Sequence, residues 1–211
     1  MQVSQLLFEI KNRDGYVKCE FYNGGSNKGV IYMHGVGGGT HGPANIYHPL
    51  AEDLVRSGIS SLLINCRYDS DLDECISDVL ACIDYLDRQY GISIIGLIGW
   101  SFGGAVVISA AVQDKRVRTV VTVASQSYGT DGVRKIAPRP ILLIHGTGDK
   151  TLSCECSVDI AKRAGEPKKL VLFEGADHCI SQDGNELFKL VRDWFLKYLY
   201  NQKYRSVAPI L

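Results

Sequence analysis

The 211-residue sequence predicts an α/β fold, a mostly parallel, doubly wound sheet with an antiparallel hairpin at its N-terminal end and no large lid. Three observations lead there. From residue 29 onward, short runs rich in Val, Ile and Leu alternate with amphipathic stretches, the pattern of parallel strands joined by crossover helices. Ahead of them, residues 3–10 and 16–22 alternate polar with apolar around Asn12-Arg13-Asp14-Gly15, so a hairpin with an Asp-Gly turn is expected. Finally, the run Ile92-Ser93-Ile94-Ile95-Gly96-Leu97-Ile98 is apolar on both faces apart from Ser93 and Gly96, as a strand covered on both sides must be, and it ends in a serine held between glycines.

The elements follow in order. After a loop at 23–27, residues 29–35 form a buried strand that runs into the glycine-dense stretch Val36-Gly37-Gly38-Gly39-Thr40-His41-Gly42-Pro43 and then a helix over about 44–57. Residues 60–67 form the next strand. Leu72, Ile76, Val79, Leu80, Ile83 and Leu86, spaced by threes and fours, place one stripe of a helix against the sheet. The strand at 92–98 and a small-residue helix at 105–112 come next, followed by strands at 119–124, 141–145 and 170–173. Helices are expected near 153–164 and along the stripe Leu187, Leu190, Val191, Trp194, Tyr198. Residues 201–211 are expected to trail from that last helix. No linker or repeat divides residues 1–211, so a single domain is expected.

Charge narrows the partners. Lys and Arg number 23 against 23 Asp and Glu, which leaves no basic footprint for nucleic acid or an anionic membrane. No run of about 18 apolar residues occurs, and Met1 to Glu9 lacks a basic region followed by an apolar stretch, so neither a membrane span nor a signal peptide is expected. The seven cysteines are odd in number and scattered, as free thiols in a reducing, cytoplasmic setting would be. Cys154-Glu155-Cys156 has no second Cys or His pair at ligand spacing, so no metal is expected.

Gly99-Trp100-Ser101-Phe102-Gly103 matches the G-x-S-x-G nucleophile elbow in its required context, strand before and helix after. On so tight a turn, side chains two residues either side of Ser101 collide with strand and helix unless they are glycine. In open parallel sheets, functional groups collect beyond the carboxyl ends of the strands. Two further strand ends supply Asp149, in Gly146-Thr147-Gly148-Asp149, and His178, in Gly175-Ala176-Asp177-His178. Ser101, Asp149 and His178 thus fall in the chain order nucleophile, acid, base. Asp177 and Asp131 are competing acids; Asp177, adjacent to His178, better suits a loop role. The oxyanion donors are expected at the backbone N–H of Phe102 and at Val36, with Gly37 as second choice. The glycine loop lacks the lysine and hydroxyl of a phosphate-binding loop, which argues against nucleotide binding.

On Gly-Trp-Ser-Phe-Gly-Gly (99–104), His-Gly-Thr-Gly-Asp-Lys-Thr (145–151) and Gly-Ala-Asp-His-Cys (175–179), the chain resembles the α/β-hydrolase superfamily over roughly residues 29–200. More narrowly it resembles the small, lid-poor branch related to dienelactone hydrolases and acyl-peptidase-like esterases. The resemblance implies an α/β-hydrolase fold and a Ser101, Asp149, His178 triad with neither metal nor organic cofactor. Dienelactone hydrolases proper resemble the chain in layout but carry a cysteine nucleophile; here the elbow holds Ser101, which favours ordinary ester or thioester chemistry. Many relatives insert a helical lid after the strand corresponding to 119–124, whereas residues 125–138 leave room only for a small flap.

Trp100, Tyr128 and His41 are the candidates for lining an acyl or alcohol pocket, with Phe102 and Tyr47 beside them; aromatic residues here suit core packing equally, and His41 and His48 equally suit a solvated loop. The expected activity is a serine hydrolase cleaving a small ester or thioester through an acyl-enzyme on Ser101. The alternatives are a non-catalytic ligand-binding protein on the same scaffold, or an acyltransferase or perhydrolase using the same triad.

Overall fold

A computed structural model describes residues 4–200; the expected tail at 201–211 and the first residue of the expected hairpin lie outside them. The strands are β1 (Gln5–Asn12), β2 (Gly15–Tyr22), β3 (Lys28–Met33), β4 (Ser60–Asn65), β5 (Ile94–Trp100), β6 (Val117–Val123), β7 (Ile141–Gly146) and β8 (Lys168–Phe173). The helices are α1 (Tyr47–Arg56), α2 (Leu72–Tyr90), α3 (Phe102–Gln113), α4 (Glu155–Arg163) and α5 (Gly184–Tyr200). Among the described residues the strands form one sheet in the order β1-β2-β4-β3-β5-β6-β7-β8. Strand β2 is antiparallel to β1 and β4, and every other pairing is parallel.

Strand alternation sends neighbouring side chains to opposite faces. Leu63, Ile98 and Val121 meet Leu50 and Leu54 of α1 and Val191 and Phe195 of α5, whereas Ile31, Leu97 and Leu143 meet Ile83 of α2, Val107 of α3 and Ile160 of α4. Helix α2 is capped at both ends: the Asp71 carboxylate accepts the Glu74 N–H at 3.0 Å, and Gly91 ends the helix at a φ of 65°.

Several boundaries differ from expectation by one to three residues, and three local departures have a physical reason in the backbone. The helix expected over 44–57 begins at Tyr47, because Ala44 and Asn45 take positive φ values of 47° and 56° and make a short 3-10 turn first. Strand β5 starts at Ile94, since the Ser93 and Ile94 N–H groups both donate to the Asn27 carbonyl. In the hairpin, Asn12 pairs with Gly15, so Arg13 and Asp14, rather than Asp14 and Gly15, are the central turn residues. Gly15 serves a different need: a Cβ there would lie 3.0 Å from Arg67 Cδ. That arginine crosses the turn to Asp14 at 2.6 Å, and its Nε meets the fully buried Asp78 at 2.7 Å, which ties the hairpin to α2.

Between β6 and β7 the chain makes only a 3-10 turn (Asp131–Ile136), with no inserted helical lid among the described residues. Beneath the centre of the sheet, a Cβ on Gly96 would come within 2.7 Å of the Phe195 ring, so glycine in β5 is what lets α5 pack flush. Gly96→Ala is therefore expected to lower stability by about 1–3 kcal/mol, the usual cost of overpacking. A urea-unfolding midpoint equal to wild type would show that Phe195 yields without cost.

Candidate active site

The turn between β5 and α3 is built by close approach. A Cβ on Gly99 would strike the Gly103 carbonyl, and one on Gly103 would strike the His34 carbonyl. Ser101 between them takes φ 57° and ψ −122°, a backbone region that costs a non-glycine residue free energy of order 1–3 kcal/mol. Its N–H donates to the Val123 carbonyl of the neighbouring strand at 2.8 Å, which fixes the turn to the sheet edge. Phe102 opens α3, so its N–H belongs to the first turn, whose donors have no intrahelical acceptor.

Asp149 and His178 meet directly: His178 Nδ1 lies 2.6 Å from Asp149 Oδ2, short even for a charge-assisted bond. The other oxygen, Oδ1, accepts the N–H groups of Thr151 at 2.7 Å and Leu152 at 3.0 Å. The Asp149 side chain is wholly buried. Burial pushes its pKa up, but the His178 hydrogen bond and the two backbone donors outweigh that and hold it below the usual carboxylate range. A second imidazole, His145, also reaches Oδ2, at 3.1 Å. Trp100 Nε1 donates to the His178 carbonyl at 3.1 Å, and their rings lie 5.5 Å apart, so the residue before Ser101 holds the loop that carries His178. No hydrogen bond joins Ser101 Oγ to His178 among the described residues.

The glycine loop after β3 is braced from beneath. His34 is buried, and its Nε2 accepts the Cys66 N–H at 3.0 Å, so the proton of the neutral ring sits on Nδ1, 2.6 Å from the Gly35 carbonyl. Burial holds its pKa below the ordinary histidine value. Further along, Gly38 N–H closes a turn to Gly35, and Gly39 N–H donates to Asn65 Oδ1. The N–H groups of Val36 and Gly37 donate to no acceptor among the described residues. A cleft of about 320 Å³ opens beside this loop, its lining including Gly38, Gly39, His41, Asn45, Trp100, Cys179 and Ser181.

Trp100 and His41 thus share a cleft. Tyr128 is 79% exposed and does not line it, Tyr47 is core, donating its hydroxyl to the Met33 carbonyl, and the Phe102 side chain is buried. His48 is not a solvated loop residue: it sits in α1, where Nδ1 meets the Tyr22 hydroxyl at 3.0 Å and Nε2 meets Thr40 Oγ1 at 3.3 Å. Asp177 ties its own loop, accepting the N–H groups of Cys179 and Ser181 and the Ser181 hydroxyl. Asp131 lies exposed on the 3-10 turn after β6. Cys154 and Cys156 are half-buried at the start of α4, and no group of three His, Cys, Asp or Glu side chains suited to a metal occurs among the described residues. The residues that sequence reasoning passed over are His34, Asn65, His145 and Cys179. The signal for the first and third was a histidine closing an apolar run just before a glycine, at 34–35 and 145–146.

A family model described as the dienelactone hydrolase family matches residues 44–205. Similar solved structures include a dienelactone hydrolase from Anabaena variabilis (22% identical, TM-score 0.83, covering 94% of this chain and 99% of that one). Another is Est1E of Butyrivibrio proteoclasticus with ferulic acid bound (17% identical, TM-score 0.80, covering 92% and 100%). A third is the esterase Pf2001 of Pyrococcus furiosus (19% identical, TM-score 0.79, covering 93% and 91%). Among curated proteins, the uncharacterized protein YfhR of Escherichia coli is 30% identical over 105 residues, 39% of this chain, and the match spans only 37% of that protein's length.

The depressed pKa of Asp149 sets a sign for acid stability. A carboxyl that ionises more readily folded than unfolded stabilises fully above its unfolded value, about 3.9, and loses that contribution as pH falls through the lower folded value. The stability gap between wild type and Asp149→Asn is therefore expected to narrow as pH falls below about 4. Urea titrations at stepped pH measure it; a gap that stays level throughout acid would contradict the geometry.

Proposed function

Because the chain belongs to the dienelactone hydrolase family, a family of hydrolases, we propose that it is a serine hydrolase of small carboxylic esters or thioesters. The observation that carries this reading is the 2.6 Å contact of His178 Nδ1 with Asp149 Oδ2, in a loop held by Trp100, the residue before a serine at φ 57° between strand and helix. Asp149 keeps the His178 proton on Nδ1, which leaves Nε2 as the base. Ser101 Oγ attacks the carbonyl carbon while its proton passes to Nε2. The N–H groups of Phe102 and Val36, with Gly37 as the second choice for the loop donor, receive the charge that builds on the carbonyl oxygen. Collapse of the tetrahedral intermediate breaks the bond to the leaving alcohol or thiol, which takes the proton from His178. Water, deprotonated by the same nitrogen, then releases the acid and restores Ser101.

The cleft beside Trp100 and His41, about 320 Å³ and without a lid above it, suits a compact acyl group, short aliphatic or aromatic. Names among the structural neighbours, an esterase and a protein holding ferulic acid, agree with ester substrates. Unpaired thiols at all seven cysteines support a reducing, cytoplasmic setting. No helix of the described residues is long and apolar enough to cross a membrane.

A fluorophosphonate probe is expected to label wild type stoichiometrically at Ser101 and to leave Ser101→Ala unlabelled. Asp149→Asn is expected to cut kcat on a p-nitrophenyl ester roughly 10³–10⁴-fold, the size of a lost triad acid, whereas Asp177→Asn stays within a few-fold. Folded wild type that neither labels nor turns over would move the chain to the ligand-binding reading, and a silent Asp149→Asn would reassign the acid.

A further inference from the structure

The triad reading accounts for one of the two imidazoles on Asp149 and leaves the other unexplained. His145 is the last residue but one of β7, a wholly buried strand, and is itself 0% exposed. An imidazole there costs free energy unless both ring nitrogens are satisfied. Both are: Nδ1 lies 2.7 Å from Ser157 Oγ, and Nε2 lies 3.1 Å from both Asp149 Oδ2 and the Leu152 carbonyl. A carboxylate and a carbonyl can only accept, so the proton sits on Nε2. Nδ1 is then an acceptor and takes the Ser157 hydroxyl proton. One chain of donors results, Ser157 O–H to His145 Nδ1, His145 Nε2–H to Asp149 Oδ2, with His178 Nδ1–H arriving on that same oxygen.

We infer that His145, oriented by Ser157, is a positioning residue for Asp149, fixing the carboxylate so that Oδ2 faces His178. The inference rests on the triad reading above. An aspartate can turn its carboxylate about its last bond, and a turn here would take Oδ2 away from His178. The backbone donors of Thr151 and Leu152 hold Oδ1, and His145 supplies the second hold, on Oδ2. Leu152 completes the brace, because its N–H holds Oδ1 while its carbonyl accepts from His145. Burial lowers the proton affinity of His145, opposed by the Leu152 carbonyl and Asp149. It therefore donates as a neutral ring, without a second positive charge competing with the imidazolium of His178 for Asp149.

The test is a double-mutant cycle. His145→Phe, His145→Gln and Ser157→Ala are made in the wild-type and Asp149→Asn backgrounds and assayed for kcat and KM on p-nitrophenyl acetate. His145→Phe is expected to lower kcat about 10-fold or more at unchanged KM, and Ser157→Ala about 3-fold, sizes usual for coupled neighbours. His145→Gln, whose amide keeps an N–H donor, is expected to recover most of the loss. In the Asp149→Asn background all three are expected to become nearly silent. Equal losses in the two backgrounds would mean that His145 only packs the core and would overturn the inference, as would wild-type kcat in folded Ser157→Ala. If His145→Phe fails to fold, the two milder variants carry the cycle. A readout independent of turnover separates this inference from the hydrolase reading: the low-field proton resonance of His178 Nδ1–H, identified by its loss in His178→Gln. If wild type proves inactive yet that resonance moves in Ser157→Ala, the positioning role stands and the hydrolase reading falls; if it does not move, the positioning role falls.

Discussion

The structure depends most on the contact between the end of β5 and the start of α3, where backbone touches backbone with no side chain between. Gly99 lies against the Gly103 carbonyl, Gly103 against the carbonyl of His34, and Gly104 against the Ser125 side chain. Because the helix sits directly on the sheet edge, the ends of β3 and β6 are fixed by the same contact that strains Ser101. The glycine loop and the Ser101 hydroxyl consequently share one rigid base. Strain of this kind persists only where the surroundings over-determine it, and here α3 is apolar all round, enclosed by the sheet and α2.

A second level of order is electrical. His34 and His145 are buried, each with both ring nitrogens satisfied and each held below its ordinary pKa by burial. His34 lies under the glycine loop and His145 under the acid, so both act as neutral hydrogen-bonding braces. Cys179, which lines the cleft next to His178, is likewise kept a thiol: burial, then Asp177 and Asp149, push its pKa up. The carboxylate of Asp149 is the charge on which His145 and His178 converge.

Much of this was legible in the residues because it follows from local rules. Strand and helix order from residue 29, the hairpin, the tight turn at 99–103 and the strand-end placement of Asp149 and His178 all rest on periodicity or on glycine spacing. What was not legible depends on long-range contact. Nothing local says that Ala44 and Asn45 turn left-handed before α1, that Arg67 reaches across Gly15, or that Tyr47 points into the core and not into the cleft. Trp100 is legible only as a candidate for pocket or core, yet its indole N–H grips the His178 loop from 78 residues away. His145 and Ser157 meet only because α4 returns over β7.

The packing of Phe195 beneath Gly96 bears on the order in which a ribosome delivers the parts. Strand β5 and its serine emerge early, but the gap under Gly96 stays open until α5 is made, and the loop bearing His178 precedes that helix only slightly. A nascent chain halted before α5 therefore exposes an unfilled sheet face. Docking of α5 thus completes the core on that face only after all eight strands have been made, so β5 is laid down well before the ring that fills the space beneath it.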